Sequence, residues 1–209
     1  GRLGLVEFRG FEMPPHPRMG MAQALIIRGL IAWFWNEPYK GELKPRGTHL
    51  HDTYLLPAHC WADFQDVLAD LSGAHGTPFD EAWFVAQRDF RFPILGTHQV
   101  EGVGLELRAA IEPWLVLGEE STAGGTARFV DSSVERLQIS MENADPRFQL
   151  TCNGYALPLH EVRGKQVAGI RFRSWQPWSA LHPTIPAHGP LVFDLWDNLS
   201  GRSVGGCTY

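Results

Sequence analysis

The chain has 209 residues, 44% of them hydrophobic and 20% charged, which excludes a disordered polymer and leaves room for one large domain or two small ones. A net charge of −5 without any basic stripe argues against a nucleic-acid partner. There is no signal peptide, no apolar run reaches the length of a membrane span, and Cys60, Cys152 and Cys207 are too scattered for a disulfide framework, so a reduced, cytoplasmic setting is expected.

Leu5 to Met13 reads as a strand that runs into a turn locked by Pro14, Pro15 and Pro17. Alternation would point Val6 and Phe8 at a core and place Glu7 and Arg9 together on the other face, about 7 Å apart. A carboxylate and a guanidinium at that spacing can hold a metal ion and a phosphate oxygen between them. A solvated face with an ordinary ion pair is the plainer reading of the same spacing. Glu12 falls on the opposite face of a regular strand, unless the prolines turn it inward.

Met19 to Asn36 reads as a helix, with Leu25, Ile26, Leu30, Ile31, Phe34 and Trp35 on one apolar face and Pro38 closing it. Residues 37–56 are polar and irregular. A second helix is expected over Pro57–Leu71, ended by Ser72-Gly73. A third is expected to start at Thr77 as N-cap, with Pro78 in its first position. After about residue 88 the pattern becomes strand-like: Phe90–Phe92, Val103–Leu107, Ala127–Val130, Val134–Met141, Phe148–Cys152, Gln166–Phe172 and Leu191–Trp196. Asn153-Gly154 predicts a two-residue hairpin turn, and Ser200-Gly201 another turn. The fold class expected is α+β: a helical segment led by one strand, then an antiparallel β-sandwich-like domain. Glycines at 118, 124 and 125 suggest a division into 1–113 and 114–209.

Beyond Glu7 and Arg9, the chemistry-bearing residues are few. His49, His51 and Asp52 have metal-ligand types at close spacing, and His49 and His51 would share a face in a strand or loop. His16, His182 and His188 stand beside prolines and read as turn residues. Cys60 follows His59, but adjacent helical residues diverge and make no nucleophile–base pair. Ser132, Ser133 and Ser179 lack a nucleophile elbow. Arg171-Phe172-Arg173-Ser174-Trp175-Gln176-Pro177-Trp178 alternates aromatics and arginines, either for cross-strand packing or for stacking on a ligand. No phosphate loop or dinucleotide fingerprint is present.

Several longer stretches carry a resemblance: Val6 to Met19, Gly118-Glu119-Glu120, Val130 to Leu137, and Ala180-Leu181-His182-Pro183-Thr184-Ile185-Pro186. Through them the whole chain resembles the amidoligase domain at the C-terminal end of large bacterial transglutaminase-like proteins, a family of uncharacterised function. Residues 4–35 also look like the Glu-x-Arg strand, proline turn and helix of glutamate–cysteine ligases, which are carboxylate–amine ligases. The resemblance implies ATP and magnesium as cofactors, with Glu7 and, more loosely, Glu12 as metal ligands and Arg9 binding ATP phosphate and stabilising its charge during catalysis. Residues 1–113 would then be the C-terminal part of a glutamine-synthetase-like ligase domain. The substrates would be a carboxylate, activated as an acyl phosphate, and an amine. The abrupt ends suggest a piece of a longer protein, with N-terminal domains as partners and no ligase activity in the piece alone. The alternative is a non-catalytic docking module over 114–209, with an exposed aromatic patch around Trp175 and Trp178.

Overall fold

The computed structural model describes every residue except 1, 2, 5, 9, 44, 113–115, 131–132 and 176–188, together with the side chains of 51–53, 116–122 and 126–130. Helix α1, Pro17–Asn36, starts where Pro17 presets the helical φ and the His16 ring accepts a 3.2 Å hydrogen bond from the Arg18 N–H. His16 is therefore a helix cap, a more definite role than a turn residue. A 3₁₀ turn, Gly47–His49, leads into the short helix α2, Leu50–Leu55. Helix α3 covers Pro57–His75, one turn beyond the expected end. The Ser72 hydroxyl donates to the Leu68 carbonyl and accepts from the Phe79 N–H, so the chain folds back without a break. The next cap is Asp80, which accepts from the Ala82 N–H at 2.9 Å and opens the 3₁₀ turn Glu81–Trp83. Thr77 caps nothing; Asp80 sits next to the turn it serves. Helix α4, Val85–Arg91, absorbs Phe90 and Arg91, because a three-residue apolar–basic–apolar run fits a helix end as well as a strand.

These elements belong to two compact units: residues 1–43 with 65–91, and residues 44–64 with 92–209. The composition shift pointed instead to 113–125, but a cut there would separate strands of one sheet. In the first unit Met19, Ile26, Leu68, Leu71 and Phe84 are buried. Gly29 lets the helices close in: a Cβ there would lie 3.1 Å from Phe79 and 3.3 Å from Leu71.

Among the described residues the second unit contains eleven strands: β1 Ile94–Val100, β2 Val103–Ala110, β3 Val116–Thr122, β4 Gly125–Val130, β5 Val134–Glu142, β6 Phe148–Cys152, β7 Tyr155–Ala156, β8 His160–Val162, β9 Lys165–Arg173, β10 Val192–Asp197 and β11 Arg202–Thr208. Five form an antiparallel sheet in the order β1-β2-β5-β9-β8, four form a second in the order β11-β10-β6-β7, and β3 pairs with β4 alone. Leu105, Leu107, Leu137, Ile139, Ala168 and Ile170 from the first sheet share one core with Leu150, Phe193 and Leu195 from the second. This is the expected sandwich. Three of its hairpins close on two-residue turns with both φ values positive: Glu101-Gly102, Asn153-Gly154 and Arg163-Gly164. That geometry matches the strand twist and demands glycine at the second position.

Among the described residues, the expected strand over 5–13 does not appear. The described residues from 3 to 14 are in neither helix nor strand, and Val6 and Phe8 are 77% and 52% exposed rather than turned to a core. A strand exists only where a neighbour completes its hydrogen bonds, and alternation supplies no neighbour.

Candidate functional site

Of the residues nominated first from the sequence, Glu7 and Glu12 lie in the irregular N-terminal segment of the first unit. Glu7 lies in irregular chain with its side chain at the surface. Glu12 is also exposed, and its Oε1 stands 3.4 Å from Nη1 of Arg91 at the end of α4. Arg9 lies outside the described residues. An exposed pair such as Glu12–Arg91 contributes about 0–1 kcal/mol, so a competing cation can draw Glu12 away at little cost. Among the described residues, no three His, Cys, Asp or Glu side chains converge as a metal cage. Two carboxylates are nevertheless the ligand type magnesium takes, since that ion keeps several waters and shares the phosphates of its nucleotide.

Helix α1 borders an open groove of about 850 Å³. Its wall includes Met19, Leu25 and Trp83, and Arg18 and Arg28 are its cations. Helix α1 carries no acidic residue, so the groove pairs apolar surface with positive charge alone.

The other nominated groups are not assembled into sites. His49 closes a 3₁₀ turn and His51 and Asp52 fall in α2, so the backbone is helical where an extended one was expected. Residues two apart on a helix do not share a face. The side chains of 51 and 52 lie outside the description. The Cys60 thiol donates to the Tyr54 carbonyl at 3.1 Å, and burial, reinforced by the Asp63 charge, pushes its pKa up. Both effects oppose a reactive thiolate. Ser132, Ser179, His182, His188 and Trp178 lie outside the described residues. Phe172 packs in the core edge-on to Tyr209 while Arg171 and Arg173 take the opposite face of β9, so the alternation there is cross-strand packing. Trp175 beside it is 49% exposed.

One polar cluster in the second unit was missed. Glu112, just after β2, is almost fully buried, and Nε of Arg136 and Nε of Arg171 each approach it at 3.4 Å. The ladder explains the arrangement: Ala110, Arg136 and Arg171 sit side by side on β2, β5 and β9. Two guanidiniums on adjacent strands repel, and the carboxylate between them offsets that repulsion. A hydrogen bond from the Ile111 N–H to the Leu55 carbonyl fixes the backbone beside Glu112. Arg136 and Arg171 were visible in the sequence, but nothing local pairs them with Glu112.

Helices in the first unit and an antiparallel sandwich in the second define an α+β protein. Over residues 1–209 the chain matches the model of the family described as Putative amidoligase enzyme (DUF2126), and it belongs to that family. No curated protein and no solved structure matches it. Among the described residues, no helix is long and apolar enough to cross a membrane.

Proposed function

We propose that the chain is part of an ATP-dependent carboxylate–amine ligase, in which Glu7 and Glu12 bind magnesium and Arg9 binds ATP phosphate. The observation that carries this reading is membership, along the full 209 residues, of a family described as an amidoligase. The exposed position of Glu7 and the weak hold of Arg91 on Glu12 are compatible with it. Bound magnesium–ATP would supply the phosphoryl group that activates a carboxylate toward an amine. The chain's own groups then have plain tasks. The carboxylates of Glu7 and Glu12 would hold the cation, and Arg91 pairs with Glu12 in its absence. The guanidinium of Arg9 offsets phosphate charge. The transglutaminase-like domains of the parent protein would be the partners of this chain, and the chain alone is expected to be inactive.

The test is amide formation coupled to ADP release by the full-length protein, with a panel of carboxylates and amines. Glu7→Ala and Arg9→Ala are each expected to abolish turnover while the thermal midpoint stays within a few degrees. Wild-type turnover in both variants would overturn the assignment. A second reading, a docking module within 114–209, draws on the half-exposed Trp175. Under it, Trp175→Ala weakens association with the remaining domains and leaves turnover per assembled complex unchanged.

A further inference from the structure

We propose that the outer face of the four-stranded sheet binds a carbohydrate, with Trp196 as its stacking platform. On β10, Phe193 and Leu195 enter the core, so Val192, Asp194 and Trp196 point outward. The ladder then sets two rows across three strands. Trp196 stands between Gln149 on β6 and Ser203 on β11, and Asp194 stands between Thr151 and Gly206. At ordinary strand spacing each row spans about 10 Å and the rows lie about 7 Å apart, the footprint of a small saccharide.

Three observations separate this face from an ordinary solvated one. First, Trp196 keeps 38% of its surface exposed, and among the described residues its indole has no ring, guanidinium or hydrogen-bond partner. Second, the register slips between Leu195 and Trp196, opposite Gly205 with φ 142°, and such a bulge re-aims the side chain beside it. Third, Gly206 cannot carry a side chain, because a Cβ there would come within 1.8 Å of the Phe193 carbonyl oxygen. The Asp194 carboxylate is therefore left open on that side. It accepts one bond, 3.1 Å from the Ser203 hydroxyl, and finds no ion-pair partner among the described residues. Most of its acceptor capacity remains.

The chemistry of the two rows selects the ligand. An indole face takes the C–H side of a pyranose; the Asp194 carboxylate, the Gln149 amide and the acceptor positions of Ser203 and Thr151, whose own protons go to Asp194, can meet vicinal sugar hydroxyls. No cation stands in either row, so an anionic ligand has nothing to pair with. The exposed apolar area, Trp196 and Val192, is far too small for a stable protein interface.

The experiment is calorimetric titration of the 209-residue chain with cellohexaose, chitohexaose, laminarihexaose and xylohexaose. Saturable binding of at least one is expected, weakened about tenfold or more in Trp196→Ala and in the near-isosteric Asp194→Asn. Circular dichroism and the thermal midpoint check that each variant is folded. Absence of binding across the panel overturns the proposal, as does wild-type affinity in both folded variants.

Discussion

The side-chain oxygen of Gln138, in the middle of β5, accepts a 2.8 Å hydrogen bond from the backbone N–H of Ala58, in the first turn of α3. That N–H is one of the donors a helix leaves without an internal partner. Leu56 and Pro57, at the start of the helix, offer no side-chain acceptor, so a residue 80 positions away acts as the cap. Gln138 is 3% exposed, and removing it strands a partly buried N–H. Gln138→Ala is expected to cost about 1–3 kcal/mol. Urea unfolding followed by circular dichroism measures this, and an unchanged midpoint would refute the capping role.

Asp197 carries an acid-sensitive part of the sandwich. Its carboxyl is held below the usual range by the Ser200 hydroxyl first, then by the Leu199 N–H and Arg147, against an opposing effect of burial. A depressed folded pKa means that the stabilisation is present above the unfolded value near 3.8 and fades as pH falls through the folded value. Asp197→Asn is therefore expected to lower the thermal midpoint at neutral pH. The gap to wild type should narrow as pH falls below 3.8 and through the folded value. A gap of constant size from pH 7 to pH 2 would show that the carboxylate charge plays no part.

All three thiols are expected to react slowly in the folded chain. Burial raises the pKa of Cys60, Cys152 and Cys207, and for Cys60 the charge of Asp63 adds to it. The associated stability is present below the unfolded thiol value of 9.0 and is lost as pH rises through the folded one. Timed iodoacetamide labelling at pH 8, read by mass spectrometry with and without urea, is expected to show labelling at least about tenfold slower in the native state. Rapid native labelling at Cys60 would reopen it as a nucleophile.

The long helices were legible because each carries its own evidence, an apolar stripe with proline or glycine at its limits. The Asn153-Gly154 turn was legible for the same reason, since the required φ values are written in the residue types. Glu101-Gly102 and Arg163-Gly164 adopt the same turn, but Glu and Arg do not advertise positive φ. The N-terminal segment failed the other way: Val6 to Arg9 alternates well, yet the strand lacks a described partner. The Glu112–Arg136–Arg171 cluster depends on the pairing of β2, β5 and β9, which no local pattern encodes. For the candidate site, the sequence supplied residue types at 7, 9 and 12, while their exposure and the Arg91 contact are tertiary facts.

The register of the five-stranded sheet also sorts the chain into a paired scaffold and the segments that leave it. Ala110, Val134 and Arg173 mark where β2 ends, β5 begins and β9 ends, and the ladder puts these three points at one rim. The two longest excursions from the sheet, 111–133 and 174–191, therefore depart from a single edge of the sandwich. They contain Gly118-Glu119-Glu120 and Ala180–Pro186, and Val130–Leu137 straddles the point of re-entry. Swapping both excursions between members of the family, with Glu112 and Ser133 retained to hold β5 and β9 at that rim, would alter one edge and leave every pairing of the five-stranded sheet in place.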